Sequence, residues 1–216
     1  MKNFFNKKSL PVLLALFTFF LPALSFAEDA SEVVAKLQRK YDSIASIKAG
    51  FTQEVTSKGM GATKSKGNVW LKKPGKMRWE YQEPAKDIIV SDGKTIWLYQ
   101  PDLNQAIKSP ASSGASSMAT DFLSGIGNIE KEFIVILSAA EGQYHVLTLT
   151  PKSEQPSLKK LVLEVGKYSY LVEKTVITDH FGNQTSVSFT GITLNSPIKD
   201  SIFKYAPPKG ATIIRP

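Results

Sequence analysis

Apolar and polar positions divide this chain into three regimes. Leu10 to Leu24 is almost continuously apolar. From Asp29 to about Ser43, Val33, Val34, Leu37 and Tyr41 recur at helical spacing, with Ile44 just beyond and Lys36, Arg39 and Lys40 between them. That spacing predicts one amphipathic helix with a single apolar stripe, and Asp29 or Ser31 is placed to cap its start. From Lys48 onward the period shortens to two. Lys48 to Ser57 reads as a strand with Phe51, Gln53 and Val55 on one face, and Lys58 to Lys66, rich in Gly, Ser and Lys, reads as a hairpin tip.

Gly67 to Gln105 is a run of strands punctuated by Pro74-Gly75 and Asp92-Gly93, and it holds all three tryptophans, Trp70, Trp79 and Trp97. Two registers are open to the first hairpin. A two-residue loop pairs Lys73 with Lys76 and mixes charged and apolar residues on each face. A three-residue loop over Pro74, Gly75 and Lys76 pairs Lys73 with Met77; Val69, Leu71, Met77, Trp79 and Tyr81 then share one face, and Trp70, Lys72, Arg78 and Glu80 the other. Register follows the arrangement that separates apolar from charged, so the three-residue loop is expected, with Lys73 the one cation at the end of the apolar face. The second hairpin, Asp87 to Tyr99, is apolar on both sides: Ile88, Val90, Trp97 and Tyr99 on one, Ile89, Ile96 and Leu98 on the other. Such strands are covered on both faces or form an unusually apolar surface.

Ser109 to Gly127 has small residues and glycines around Met118, Phe122, Leu123 and Ile126, which suits a short helix that is either a movable lid or a connector. Strands resume at Phe133–Leu137, Tyr144–Thr150, Lys159–Val165, Leu171–Asp179 and Thr185–Leu194. About ten strands with two or three helices imply a mainly β (α+β) single domain: one wide, strongly curved antiparallel sheet with the helices on its concave side.

The first 27 residues read as a cleaved export signal, with basic Lys2, Lys7 and Lys8, the apolar segment, and Ser25-Phe26-Ala27 at the cleavage site. An uncleaved anchor is the alternative, but the apolar core is short of the ~20 residues a spanning helix needs. Cleavage leaves a mature domain of residues 28–216. Three of the 27 basic residues leave with the signal while all 19 acidic ones stay, so the net charge falls from +8 to +5. No Arg/Lys block marks a nucleic-acid site. There is no cysteine, so the mature N-terminus has none for lipid attachment.

Catalytic patterns are missing. His145 and His180 are the only histidines, and neither has a partner at metal-ligand spacing; Asp179 beside His180 belongs to a turn. Ser112 to Ser117 have no nucleophile-elbow pattern, and there is no phosphate loop or dinucleotide fingerprint. The chain is read as a non-enzyme without metal or cofactor.

Trp70 to Pro84 (W-x-K-K-P-G-x-x-R-W-x-Y-x-x-P), Ile89 to Gln105 (I-x-S-D-G-x-x-x-W-x-Y-x-P-x-x-x-Q) and Phe203 to Gly210 (F-x-Y-x-P-P-x-G) together resemble the LolA family of periplasmic outer-membrane lipoprotein carriers. The resemblance implies an incomplete (half) β-barrel whose concave, aromatic face, lidded by helices, receives acyl chains. It also implies a periplasmic monomer that takes lipoproteins from an ATP-driven inner-membrane transporter and passes them to an outer-membrane acceptor. On that basis the cavity is assigned to Phe51, Val55, Val69, Leu71, Met77, Trp79, Tyr81, Val90, Trp97 and Leu98, and the lid to Met118, Phe122, Leu123, Ser124 and Gly125. Lys73 stands where many members have an arginine that holds the lid shut. A lysine keeps the charge but replaces a planar fork with a mobile ammonium, so a latch bonded near Ser124 and Gly125 stands beside a simple snorkelling rim residue. A lipid-sensing regulatory module and a lipid hydrolase are the alternatives; the first usually carries a further domain, the second needs a nucleophile and base that are not found.

Overall fold

The computed structural model describes Met1 and residues 29–111, 127–138 and 142–215; the expected export signal and lid residues lie outside these. Helix α1 spans Ala30–Ser43 and buries Val33, Val34, Leu37 and Tyr41, the stripe that the spacing predicts. Asp29 occupies the N-cap position, but its carboxylate accepts the Ser31 hydroxyl at 2.8 Å rather than a helix N–H.

The strands are β1 (Ser46–Ser57), β2 (Gly61–Lys72), β3 (Lys76–Glu83), β4 (Ile88–Asp92), β5 (Thr95–Gln100), β6 (Gln105–Pro110), β7 (Phe133–Ser138), β8 (Tyr144–Pro151), β9 (Lys160–Gly166), β10 (Val172–Thr178), β11 (Gln184–Leu194) and β12 (Thr212–Ile214). A one-turn helix α2, Ile129–Glu132, precedes β7. All twelve strands form one open sheet in the order β12-β6-β5-β4-β3-β2-β1-β11-β10-β9-β8-β7. It consists of two antiparallel meanders, β1 to β6 and β7 to β11, joined where β1 pairs with β11. The sequence reading missed β6 and β12, whose pairing is the one parallel contact among the described strands. It also took 58–66 as a loop, whereas β2 begins at Gly61 and pairs with β1 as far out as Ser57.

The first hairpin corrects the predicted loop but keeps its faces. Lys72 pairs with Lys76, Leu71 with Met77 and Val69 with Trp79, so the three loop residues are Lys73, Pro74 and Gly75. The reason is the third loop position, which takes a left-handed backbone: Gly75 has φ 65°, where the predicted loop would have put Lys76. The shift moves partners by an even count, so Val69, Leu71, Met77, Trp79 and Tyr81 still share a face. The like-charged pair Lys72/Lys76 is tolerated because both ammoniums meet Asp200, at 2.7 and 2.9 Å.

Each face of the sheet has its own cover. On one, α1 packs over residues of both meanders, including Ile47, Val69, Leu71, Leu147, Leu163 and Val172. On the other, the segment after β11 crosses β2 to β5 as a strap. Lys72 donates to Ile198 O at 2.8 Å and Arg78 to Ile202 O at 3.0 Å. Phe203 is buried, and Tyr205 meets Trp97 and Tyr99 at ring centroid distances of 6.0 and 6.1 Å.

Gly67 bends the first meander. The β2/β3 register slips between Lys66 and Gly67, and a Cβ there would lie 2.0 Å from Glu80 O and 2.9 Å from the Phe51 ring. Gly67→Ala is expected to cost about 3 kcal/mol in urea unfolding, because backbone and ring must both move. At the strap, the hydrogen bonds from Lys72 and Lys76 hold the Asp200 carboxyl down to about 2 from the usual 3.8. A depressed carboxylate contributes above its unfolded pKa and is lost as pH falls through its folded one. The strap should therefore stay docked at pH 3, while Asp200→Asn should raise amide exchange around Ile198 and Ile202 at neutral pH. Equal exchange in both proteins would show that the ion pairs hold nothing.

Candidate functional site

The α1-covered face carries a group of aromatic side chains supplied by β1, β3 and β11. Phe51 meets Trp79 edge-on at 4.8 Å and Tyr81 at 5.0 Å, and Trp79 meets Phe189 at 6.2 Å. Gly67, pairing with both Phe51 and Tyr81, leaves the space in which the Phe51 ring lies. The Tyr81 hydroxyl donates to Gln53 Oε1 at 2.9 Å, and burial, with Asp87 nearby, pushes its pKa up. Val69, Leu71 and Met77 continue the face as an aliphatic floor, fully buried.

Near its last turn α1 packs tightly on this face. The space left between Tyr41, Ile47, Val69, Leu71, Val172 and Phe189 is about 10 Å3, no more than one water needs. The last turn of α1 is fixed from both halves of the sheet. The Lys73 ammonium donates to Tyr41 O and, at 3.3 Å, to Asp42 O, carbonyls at the negative end of the helix dipole. The Tyr41 hydroxyl accepts from Val172 N–H at 3.1 Å, where the β9/β10 register shifts, and burial pushes the phenol far above its usual range, so it stays neutral.

Of the residues singled out from the sequence, Phe51, Val55, Val69, Leu71, Met77, Trp79, Tyr81 and Leu98 share this face; Val55 and Leu98 are only half-buried. Val90 and Trp97 do not. Ile89 pairs with Trp79, and Val90 with Arg78, so the face of the second hairpin that continues the aromatic surface is Ile89, Ile96 and Leu98. Val90 and Trp97 lie on the strap side, where Trp97 contacts Tyr205 and the Lys108 ammonium sits 5.2 Å from its ring centroid. Met118, Phe122, Leu123, Ser124 and Gly125 are outside the described residues. The carbonyls near Ser124 and Gly125 expected to receive Lys73 lie outside them too; among the described residues the Lys73 ammonium meets carbonyls of α1.

Sequence reasoning missed Phe189 and Val187 as members of the face, although their alternation along β11 was visible. Among the described residues no three His, Cys, Asp or Glu side chains gather where they could hold a metal. His180 Nε2 lies 2.8 Å from Gln155 O, His145 is buried and stacked on Tyr170, and Asp179 accepts the N–H groups of Phe181 and Asn183 within its turn.

The family profile described as outer membrane lipoprotein carrier protein LolA matches residues 42–206, most of the sheet and the strap. The chain belongs to the LolA family. Outer-membrane lipoprotein carrier proteins of Chromobacterium violaceum and Cupriavidus necator are each 30% identical to it. The first match covers 85% of this chain and 88% of the relative, the second 94% of each. An uncharacterised conserved protein from Thermus thermophilus, with 15% identity, shares the fold at a TM-score of 0.55 over 87% of this chain and 99% of its own. Membership makes the chain a periplasmic carrier protein rather than an enzyme. No described helix is long and apolar enough to cross a membrane.

Lys73→Leu should loosen the last turn of α1, lowering the opening free energy of the Ile44 amide by about 1.5 kcal/mol, the scale of one charged hydrogen bond. Lys73→Arg should retain protection. Unchanged exchange in the leucine variant would assign the pinning to Tyr41 alone.

Proposed function

We propose that the chain is a soluble, monomeric periplasmic carrier made by cleavage after Ala27. It accepts acylated lipoproteins from an ATP-driven inner-membrane transporter, shields their acyl chains between α1 and the aromatic face, and delivers them to an outer-membrane acceptor. The reading rests on one observation: an apolar, aromatic face spanning both meanders whose described cover is a single helix, pinned at its last turn by Lys73 and Tyr41. The half-barrel with its concave side toward α1 belongs to this reading.

Each buried methylene is worth ~0.8 kcal/mol, so long acyl chains do not cross water unshielded. With about 10 Å3 beside Tyr41 under the last turn of α1, loading at this end of the face lifts the helix and separates Tyr41 and Lys73 from their partners. Resealing that face after unloading returns the same contacts and favours delivery. Planar rings suit such a site because they give contact area without close complementarity, which keeps the cargo removable. The energy for opening comes from the transporter, since this chain has no nucleotide-binding pattern.

Membrane-embedded lipoprotein, its transporter and this protein should yield a soluble one-to-one carrier–cargo complex only when ATP is present. Absence of release with a demonstrably active transporter would end the carrier reading. Trp79→Glu or Met77→Glu should abolish loading, whereas Trp70→Glu, on the strap side, should be the milder change. In Lys73→Leu, acyl binding should rise and onward transfer should fall, because the empty carrier no longer gains as much on closing; cargo passed to acceptor per cargo loaded is the quantity to measure.

A further inference from the structure

The strap side holds a second recess that the carrier reading does not use. It is an open groove of about 750 Å3 between β1, β2 and β11 on one side and the strap on the other. Its floor is Trp70, half-buried, with Asn68 beside it on β2. Ile198 and Ile202 of the strap form its apolar wall, and Lys48 and Lys199 stand exposed at its rim.

The groove is built rather than incidental. The Asn195 side chain accepts Ala45 N–H at 2.7 Å, Ser46 Oγ donates to Ser196 O at 3.0 Å, and Lys72 and Arg78 bind the carbonyls of Ile198 and Ile202. The wall is therefore fixed before any ligand arrives, which lowers the entropic cost of binding. Charge accounting gives the ligand's sign. Lys72 and Lys76 share the single carboxylate of Asp200, whereas Lys48 and Lys199 make no ion pair among the described residues, and no acidic side chain lines the groove. An aromatic floor with an apolar wall and a cationic rim is the anatomy of a protein-docking hot spot.

We propose that this groove docks an extended acidic segment of a partner protein, with one apolar side chain seated on Trp70 and flanking carboxylates on Lys48 and Lys199. A recessed trench with a fixed wall suits a peptide better than a flat lipid surface. The site lies on the opposite face from the aromatic surface under α1, so docking leaves acyl shielding intact.

The test titrates the mature protein with a short synthetic peptide of alternating glutamate and leucine, following the Trp70 indole N–H resonance. A lysine-for-glutamate peptide and vesicles of phosphatidylethanolamine and phosphatidylglycerol serve as controls. The acidic peptide should shift that resonance in a salt-sensitive way. Lys48→Glu with Lys199→Glu should weaken it about tenfold, a loss of about 1.4 kcal/mol; Lys199→Glu alone, at an exposed position, guards against a folding defect and should give a smaller loss. The double variant should still form the soluble cargo complex, so this proposal and the carrier reading fail separately. Equal binding of both peptides, indifference to the charge reversals, shifts confined to the α1 face, or response to vesicles alone would each overturn it.

Discussion

A single sheet has two faces, and in this chain both are apolar enough to need covering. That constraint organises the molecule. One face is covered by α1, whose apolar stripe packs against residues of both meanders and whose last turn is held by the Lys73 ammonium and the Tyr41 hydroxyl, with Gln38 accepting the Ile129 N–H at 3.4 Å. The other is covered over β2 to β5 by the strap, with Phe203 buried and lysine, arginine and aspartate bonds along its length, and stays open at the groove beside Trp70. The strap is fastened to the sheet along its length, and under the proposed carrier reading α1 is the cover that lifts.

Much of this was legible because strand periodicity is an exact two. Once Val69, Leu71, Met77, Trp79 and Tyr81 were set apart from Trp70, Lys72, Arg78 and Glu80, no error in loop position could exchange the faces unless it was odd. The true loop, Lys73 to Gly75, differs by an even count of partners, so the chemistry survived a wrong turn. The second hairpin failed for the complementary reason. Ile88 to Leu98 is apolar at both parities, so nothing local told Val90 and Trp97 from Ile89 and Leu98; only pairing with β3, through Trp79 and Ile89, decides it. The strap explains why both sides are apolar, and its motif, Phe203 and Tyr205, was visible without any sign of where it lay.

Long-range partners were the other blind spot. Lys73 stood out as a lone cation on an apolar face, but its acceptors among the described residues lie in α1, about thirty positions earlier in sequence, and no spacing rule reaches that far. Strand β12 is three residues long and exists through parallel pairing with β6, itself unpredicted. Phe189 was not singled out because it is the one aromatic residue of β11, a strand otherwise rich in Ser and Thr, and its membership of the covered face follows from its pairing with Phe51.

The β2/β3 turn shows how the two covers are kept independent. Lysines on and beside the turn point opposite ways: Lys73 toward the end of α1, Lys72 and Lys76 toward Asp200 on the strap. The turn itself is braced by the neighbouring one, since the Ser91 hydroxyl donates to Gly75 O at 3.2 Å and accepts from Gly93 N–H at 3.1 Å. Alternation thus lets one rigid hairpin tip serve two faces without coupling them. If α1 lifts as the proposed carrier reading has it, Lys73 loses its carbonyls at the rim, while the strap bonds on the other face keep the turn in place. On that reading, opening costs the apolar contacts of α1 as well as the Lys73 and Tyr41 hydrogen bonds, and acyl chains on the same face would restore the apolar part in kind.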